Sequence, residues 1–252
     1  MKRTAHRCWI GIAAVAVACA AVSVAHADQN PLFVRANQEY SEGHFQEAIK
    51  NYQSVVSSGQ FSASLFYNLG NAWFRVGDVG QAILNYQRAL ALDPRHPEAA
   101  ANLALVREEA RALVLRPNTF ERYLEVGTLT QYSIAASIAF WFALLLIARL
   151  YLSRRRGAAL ASLTIFSTIL FAAAVFAIHS LESGRRGRAL AIVTGNDVVA
   201  RLATADNASS IIALPPGSEI KVLSQRGDWI YAVLPNDLRG WIPATSAQPV
   251  RM

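Results

Sequence analysis

Cysteine is almost absent from this chain: there are two, Cys8 and Cys19, and none after them. Both lie in an N-terminal stretch with the layout of a secretory leader. Lys2, Arg3 and Arg7 precede an apolar run from Cys8 to about Val24, and Ala25-His26-Ala27 comes just before the polar Asp28-Gln29-Asn30. A signal peptide over residues 1–27 is therefore expected, with an uncleaved anchor as the alternative, because an apolar run of this length can also cross a bilayer. Ala16 occupies the place where a lipoprotein signal ending at Cys19 carries Leu. Without residues 1–27 the chain has no thiol. That excludes disulfides, cysteine metal sites and a cysteine nucleophile, and leaves stability in an oxidising compartment to packing.

Histidine is also scarce. Beyond the leader only His44, His96 and His179 occur, too far apart for any metal-ligand spacing. The chain has no phosphate-binding loop, no Gly-x-Ser-x-Gly and no paired carboxylates on a regular face; the adjacent Glu108 and Glu109 read as a solvated surface. These absences argue against an enzyme and against any cofactor, and no catalytic or metal-binding residue is assigned. Charge is sparse as well, at 16% of residues. The formal net charge of +7 falls to +4 without the leader, which carries three cations and no acid. Much of this mild excess flanks apolar segments, which argues against nucleic-acid binding.

What the chain has instead is apolar surface. A hydrophobic content of 53% is too high for a soluble protein with so little charge, so part of the chain is expected in lipid. Residues 131–152 carry a single charge, Arg149, near their end, and residues 158–181 carry no Asp, Glu, Lys or Arg. Each is long enough to cross about 30 Å of hydrocarbon at about 1.5 Å per residue. The short connection, 153–157, contains Arg154, Arg155 and Arg156, so the two read as a transmembrane hairpin with a cytoplasmic loop. Arg185, Arg186 and Arg188, in the basic linker 182–188, weaken the charge argument, and the leader carries the orientation. Both flanking modules are then periplasmic, outside a bacterial inner membrane.

Between residues 29 and 116 the sequence repeats with an offset of 34. Gly43, Ala48, Tyr52 and Val55 recur as Gly77, Ala82, Tyr86 and Ala89, and each copy reads as helix, glycine-containing turn, helix. Leu69-Gly70, Trp73, Gly77-Asp78, Ala82, Tyr86, Ala89 and Asp93-Pro94 resemble the tetratricopeptide repeat. A third helix, from Pro97 to about Arg116, reads as a polar cap on a stack of about two repeats. The resemblance implies that Trp73, Tyr86 and Ala82 are core, and that a partner would meet Phe33, Asn37, Tyr67, Asn68, Asn71, Phe74 and Arg75 on the first helices. Asn37 and Asn68 match the asparagines with which some such domains clamp a carboxylate. Phe33, Glu98 and Asn102 replace the cations of that clamp, so an apolar peptide or helix is the expected ligand.

Residues 117–130 read as a linker. From 189 to 252 the pattern changes to short apolar runs separated by Asp206-Asn207, Pro215-Pro216-Gly217, Gly227-Asp228 and Pro235-Asn236-Asp237, as in a small bent all-β barrel. Val199-Ala200-Arg201, Leu214-Pro215-Pro216-Gly217, Arg226-Gly227-Asp228-Trp229 and Gly240-Trp241-Ile242-Pro243 resemble a bacterial SH3 domain. Arg201-Leu202-Ala203-Thr204 departs from that family's usual Arg-x-Gly-Pro. Trp241 reads as a support of the barrel, and Trp229 as either a support or a flat face for a peptide or glycan.

The expected fold class is thus multidomain: all-α tetratricopeptide-type repeats, a transmembrane α-helical hairpin and a small all-β SH3-like barrel. This order resembles the BatE-like proteins of aerotolerance operons. The resemblance implies membrane partners with von Willebrand factor A domains and a MoxR-type ATPase. The competing expectation is a peptidoglycan-binding protein acting through the SH3-like domain.

Overall fold

The computed structural model describes residues 30–116, 119–124, 126–152, 157–183 and 187–251. The leader, 1–27, and the arginine cluster of the hairpin loop, 153–156, lie outside the described residues.

The helical module contains α1 (Pro31–Ser41), α2 (Phe45–Ser57), α3 (Ala63–Arg75), α4 (Val79–Leu92) and α5 (Pro97–Glu109). Local chemistry starts these helices where the chain requires it. The side chains of Asn30, Ser62 and Asp78 accept the backbone N–H of Leu32, Leu65 and Gln81, each satisfying a donor that a helix N-terminus leaves open. The pairs α1/α2 and α3/α4 pack antiparallel through small residues. A Cβ on Gly70 would lie 2.8 Å from the Tyr86 ring, so only glycine lets α3 sit this close to α4.

α7 (Leu129–Leu152) and α8 (Ala158–Ser183) are both long and apolar enough to cross a membrane. They form a hairpin whose seam is made of small residues, Ala136, Ala139 and Ala143 against Ser167, Ala174 and Ala177. Ser167 Oγ donates across the seam to the Ala139 carbonyl at 3.0 Å. Leucine, isoleucine and phenylalanine side chains face outward. Small residues in the seam let the two helix backbones approach closely, while the large apolar side chains are left on the outer faces. The segment expected as a linker also carries a short helix, α6 (Thr119–Leu124).

Seven short strands follow: β1 (Leu190–Val193), β2 (Val198–Arg201), β3 (Ser210–Leu214), β4 (Glu219–Arg226), β5 (Trp229–Val233), β6 (Arg239–Pro243) and β7 (Ala247–Pro249). They form one antiparallel sheet in the order β3-β2-β6-β5-β4-β1-β7. Register shifts at Ala200/Arg201 and Val222/Ser224 bend it. Residues from six strands, among them Val193, Ala200, Leu214, Ile220, Ile230 and Ile242, consequently meet in one core.

The sheet is not separate from the helices. All four residues of β1 are buried, and their alternation serves two cores. Ala191 and Val193 face the sheet interior, whereas Leu190 and Ile192 join Ile83, Tyr86, Leu103, Val106 and Leu115 of the helical module. In β4, Ile220 points into the sheet and its neighbour Glu219 points the other way. Its carboxylate accepts from Arg107, from Gln87 Nε2 at 3.0 Å and from the Leu115 N–H at 3.1 Å. The Glu219 N–H donates to the Leu113 carbonyl at 2.8 Å, and the Leu113 N–H donates to Ser218 Oγ at 3.1 Å. Gly217, at φ +85°, fits between them: a Cβ there would lie 2.2 Å from Ile83 Cδ1.

This docking explains two departures from the sequence reading. The third helix stops at Glu109 rather than near Arg116, because Arg111 adopts φ 50° and the chain runs extended so that Leu113 and Leu115 can bond to the sheet. α5 is also no solvent-facing cap, since the sheet covers its Leu103 and Val106.

Glu219 is 4% exposed, and removing its carboxylate takes an ion-pair partner from the largely buried Arg107 guanidinium. Glu219→Ala is expected to destabilise the protein by about 3 kcal/mol in denaturant unfolding. Combining Glu219→Leu with Arg107→Met is expected to recover part of that loss, because an apolar pair has no charge to desolvate.

Candidate functional site

The first helices of the pairs carry a polar device that occurs twice. In the first copy, Asn37 Oδ1 accepts from the Tyr52 hydroxyl at 2.6 Å and from Asn68 Nδ2 at 3.0 Å. In the second, Asn71 Oδ1 accepts from the Tyr86 hydroxyl at 2.7 Å and from Asn102 Nδ2 at 3.0 Å. Each residue of the second trio is displaced by 34 positions from its counterpart, so the repeat period copies the chemistry as well as the fold.

The tyrosines come from the second helices. Tyr52 and Tyr86 are buried, and burial raises both phenols well above their ordinary value of 10.0. Each hydroxyl is therefore a fixed donor that pins one asparagine oxygen inward. Among the described residues, Asn37 Nδ2 and Asn68 Oδ1 make no hydrogen bond within the chain. The same holds for Asn71 Nδ2 and Asn102 Oδ1. Each pair thus offers one donor and one acceptor, the complement of a peptide unit. Asn37, Tyr40, Tyr52, Asn68 and Asn71 line a cavity of about 240 Å³ beside this device.

Of the residues expected to meet a partner, Asn37, Asn68 and Asn71 come together here. Phe33 is 6% exposed and belongs to the core, its ring 5.9 Å from that of Tyr52. Tyr67 is half-buried between Tyr86 and His96, with ring centroids 6.1 and 4.9 Å away. Phe74 is half-buried against the core shared with the sheet. Arg75 is exposed, its guanidinium 5.0 Å from the Phe45 ring centroid. Asn102, Tyr40 and the two pinning tyrosines were missed as site residues. The exact correspondence of positions 37 with 71, 68 with 102 and 52 with 86 was the signal available in the sequence.

A second surface lies on the sheet. Trp229 and Tyr231 alternate outward from the buried Ile230 and Ala232, and across the ladder Tyr231 faces Trp241 and Trp229 faces Pro243. The Tyr231 and Trp241 rings are 5.0 Å apart, and all three aromatic side chains are half-exposed. Elsewhere Glu39, Glu42 and His44 bring their ligand atoms within 4.8 Å of one another at the surface. The imidazole pairs with both carboxylates, which accounts for the cluster.

Residues 63–96 match the tetratricopeptide repeat family. Among curated proteins, tetratricopeptide repeat protein 16 of Homo sapiens is 28% identical over 83 residues, 33% of this chain and 10% of that protein. The probable biofilm formation methyltransferase WspC of Pseudomonas putida is 39% identical over 62 residues, 25% of this chain and 15% of that protein. The chain therefore spans less than a sixth of the length of these relatives. The repeat supports a protein-interaction module.

The pinned hydroxyls make a testable energetic claim. Tyr52→Phe and Tyr86→Phe are each expected to cost about 1 kcal/mol at neutral pH. Because burial raises both phenols in the folded state, their stabilisation is complete below pH 10.0 and lost as the pH rises above it. The double variant is therefore expected to lose less stability above pH 10.0 than the parent, measured by unfolding at a series of alkaline pH values.

Proposed function

We propose that this chain is a membrane-anchored, non-enzymatic adaptor that binds an extended segment of a partner protein along the duplicated asparagine face. The observation that carries this reading is the pair of pinned carboxamides, each presenting one donor and one acceptor at the repeat period. An extended backbone repeats the same two groups, so a segment can be gripped without regard to its side chains, while the cavity beside Tyr40 selects among them. α7 and α8 serve as two spans that hold both modules against the bilayer on one side. Confinement raises their effective concentration toward partners in the same membrane. The likeness in module order to BatE-like proteins supports a periplasmic placement. It also supports partners with von Willebrand factor A domains and a MoxR-type ATPase, in a complex serving envelope stress tolerance or aerotolerance.

A second reading has its own observation. The Trp229, Tyr231 and Trp241 strip is a flat, half-exposed aromatic surface of the kind that stacks on sugars or packs on peptides, and the turn pattern of this sheet resembles bacterial SH3 domains. Peptidoglycan is the ligand this reading implies.

A photo-crosslinking residue placed at Asn71 in the membrane-embedded protein is expected to trap a discrete protein partner. The same residue at the exposed Glu108 is expected to trap none, and the Asn37→Ala, Asn68→Ala double variant should reduce capture at position 71 by at least about ten-fold. Equal capture from both positions would sink the adaptor reading. Co-sedimentation of the intact protein with purified sacculi, abolished by Trp229→Ala with Trp241→Ala, would favour the peptidoglycan reading instead. The isolated sheet is unsuitable for that experiment, because Leu190, Ile192 and Val250 would lose the helices that cover them.

A further inference from the structure

A cavity of about 820 Å³ lies where the helical module, the sheet and the ends of the apolar hairpin converge. One wall is aromatic: Phe61 and Phe66 are stacked with centroids 6.0 Å apart and planes 17° from parallel. Its floor is formed by residues 127–130, at the start of α7, and by Leu181, near the end of α8. These belong to the end of the hairpin opposite its loop.

Three cations line this space, Arg88, Arg107 and Arg251, against the single carboxylate of Glu219. Arg107 is already committed to that carboxylate. Arg88 is different. One of its terminal nitrogens donates to the Pro249 carbonyl at 3.0 Å, and its guanidinium lies 5.8 Å from the Phe66 ring centroid. Its Nε is buried without a hydrogen-bond partner, and among the described residues no carboxylate lies within ion-pair distance. Burial pushes its pKa down to about 10. A half-buried guanidinium whose Nε lacks a partner and that faces no anion is unfavourable unless something else supplies the charge. The cavity therefore combines excess positive charge with an apolar wall, at one end of a hairpin suited to lipid.

We propose that this junction cavity binds an anionic phospholipid of the bilayer, with its phosphate on Arg88 and an acyl chain along the Phe61–Phe66 wall. The proposal rests on the reading of α7 and α8 as membrane spans, which sets the cavity floor at the depth of the lipid phosphates. A phosphate supplies acceptors for the terminal guanidinium hydrogens that the Pro249 carbonyl leaves open, a charge-assisted contact that arginine favours. The aromatic wall and the neighbouring leucines give a chain somewhere to lie that a soluble anion would not use. The lipid so held would touch the repeats, the sheet and the spans together, and would fill the space left between three units.

The test uses the full chain in a neutral detergent, mixed with equimolar phosphatidylglycerol and phosphatidylcholine of identical chains and read by native mass spectrometry. Phosphatidylglycerol is expected to be retained about ten-fold more than phosphatidylcholine. Arg88→Met should abolish the preference, and Arg88→Lys should keep part of it. Ala91→Trp, which alters an exposed cavity-lining position without changing charge, should reduce retention of both lipids, so the idea does not depend on Arg88→Met folding. Equal retention of the two lipids, or a preference that survives both Arg88→Met and Ala91→Trp, overturns the proposal. Displacement by millimolar inorganic phosphate also overturns it, in favour of a soluble anion. Extraction of native membranes with alkaline carbonate separates the two failures. Release of the chain refutes the membrane reading itself, whereas retention with no lipid preference refutes only the cavity assignment.

Discussion

The carboxylate of Glu219 holds together parts of the chain that sequence keeps more than a hundred residues apart. It accepts from α4, from α5 and from the extended segment that follows, while its own backbone bonds to Leu113. A buried charge is tolerable only when such donors surround it. The constraint therefore runs in both directions: the sheet cannot move without exposing a carboxylate to an apolar core, and the helices cannot move without stranding Arg107. Around this point Leu190 and Ile192 bury themselves against Ile83 and Leu103, so apolar contact flanks these directional bonds. Directional bonds inside an apolar surround give one docking geometry rather than many.

The candidate sites inherit their rigidity from this arrangement. Tyr86 presents its ring to the core shared with the sheet and its hydroxyl to Asn71, so one side chain belongs both to the docking and to the second asparagine pair. The first pair depends on Tyr52, which sits in the core between α1, α2 and α3. Two chemically equivalent pairs are thus backed by different material, one by helices alone and one by helices and sheet. Neither asparagine oxygen is free to turn, because each already accepts two hydrogen bonds. Side chains fixed in this way lose little entropy when a ligand arrives.

What could be read from the sequence followed periodicity. The 34-residue offset disclosed the helical pairs, and the uncharged stretch 158–181 disclosed an apolar helix, because both signals are carried by neighbours along the chain. The docking was not legible: Glu219, Leu113 and Arg107 share no period, and an isolated glutamate beside Ile220 reads as a solvent-facing strand residue. One clue was present in β1. Leu190-Ala191-Ile192-Val193 is apolar at every position, and a strand covered on one face alone would alternate. A strand buried on both sides needs a second body to cover it. The end of α5 misled for the same reason, since residues 107–116 keep helical spacing and only the competing bonds of Leu113 and Leu115 draw them out of it. The asparagine device was half legible: Asn37, Asn68 and Asn71 followed from family likeness, and Asn102 from carrying the offset one step further.

The hairpin separates in synthesis what the fold joins in space. The helical module is complete by residue 116, yet the strand that covers Ile83, Leu103 and Val106 begins only at Leu190, after both long apolar helices have been made. Until then the nascent chain carries an uncovered apolar face. The antiparallel return of α7 and α8 is what brings β1 back to that face, and a chain in which one of the two failed to fold back would leave it bare. The finished packing therefore records whether the hairpin assembled correctly, and an unpaired face on the helical module marks a chain that did not.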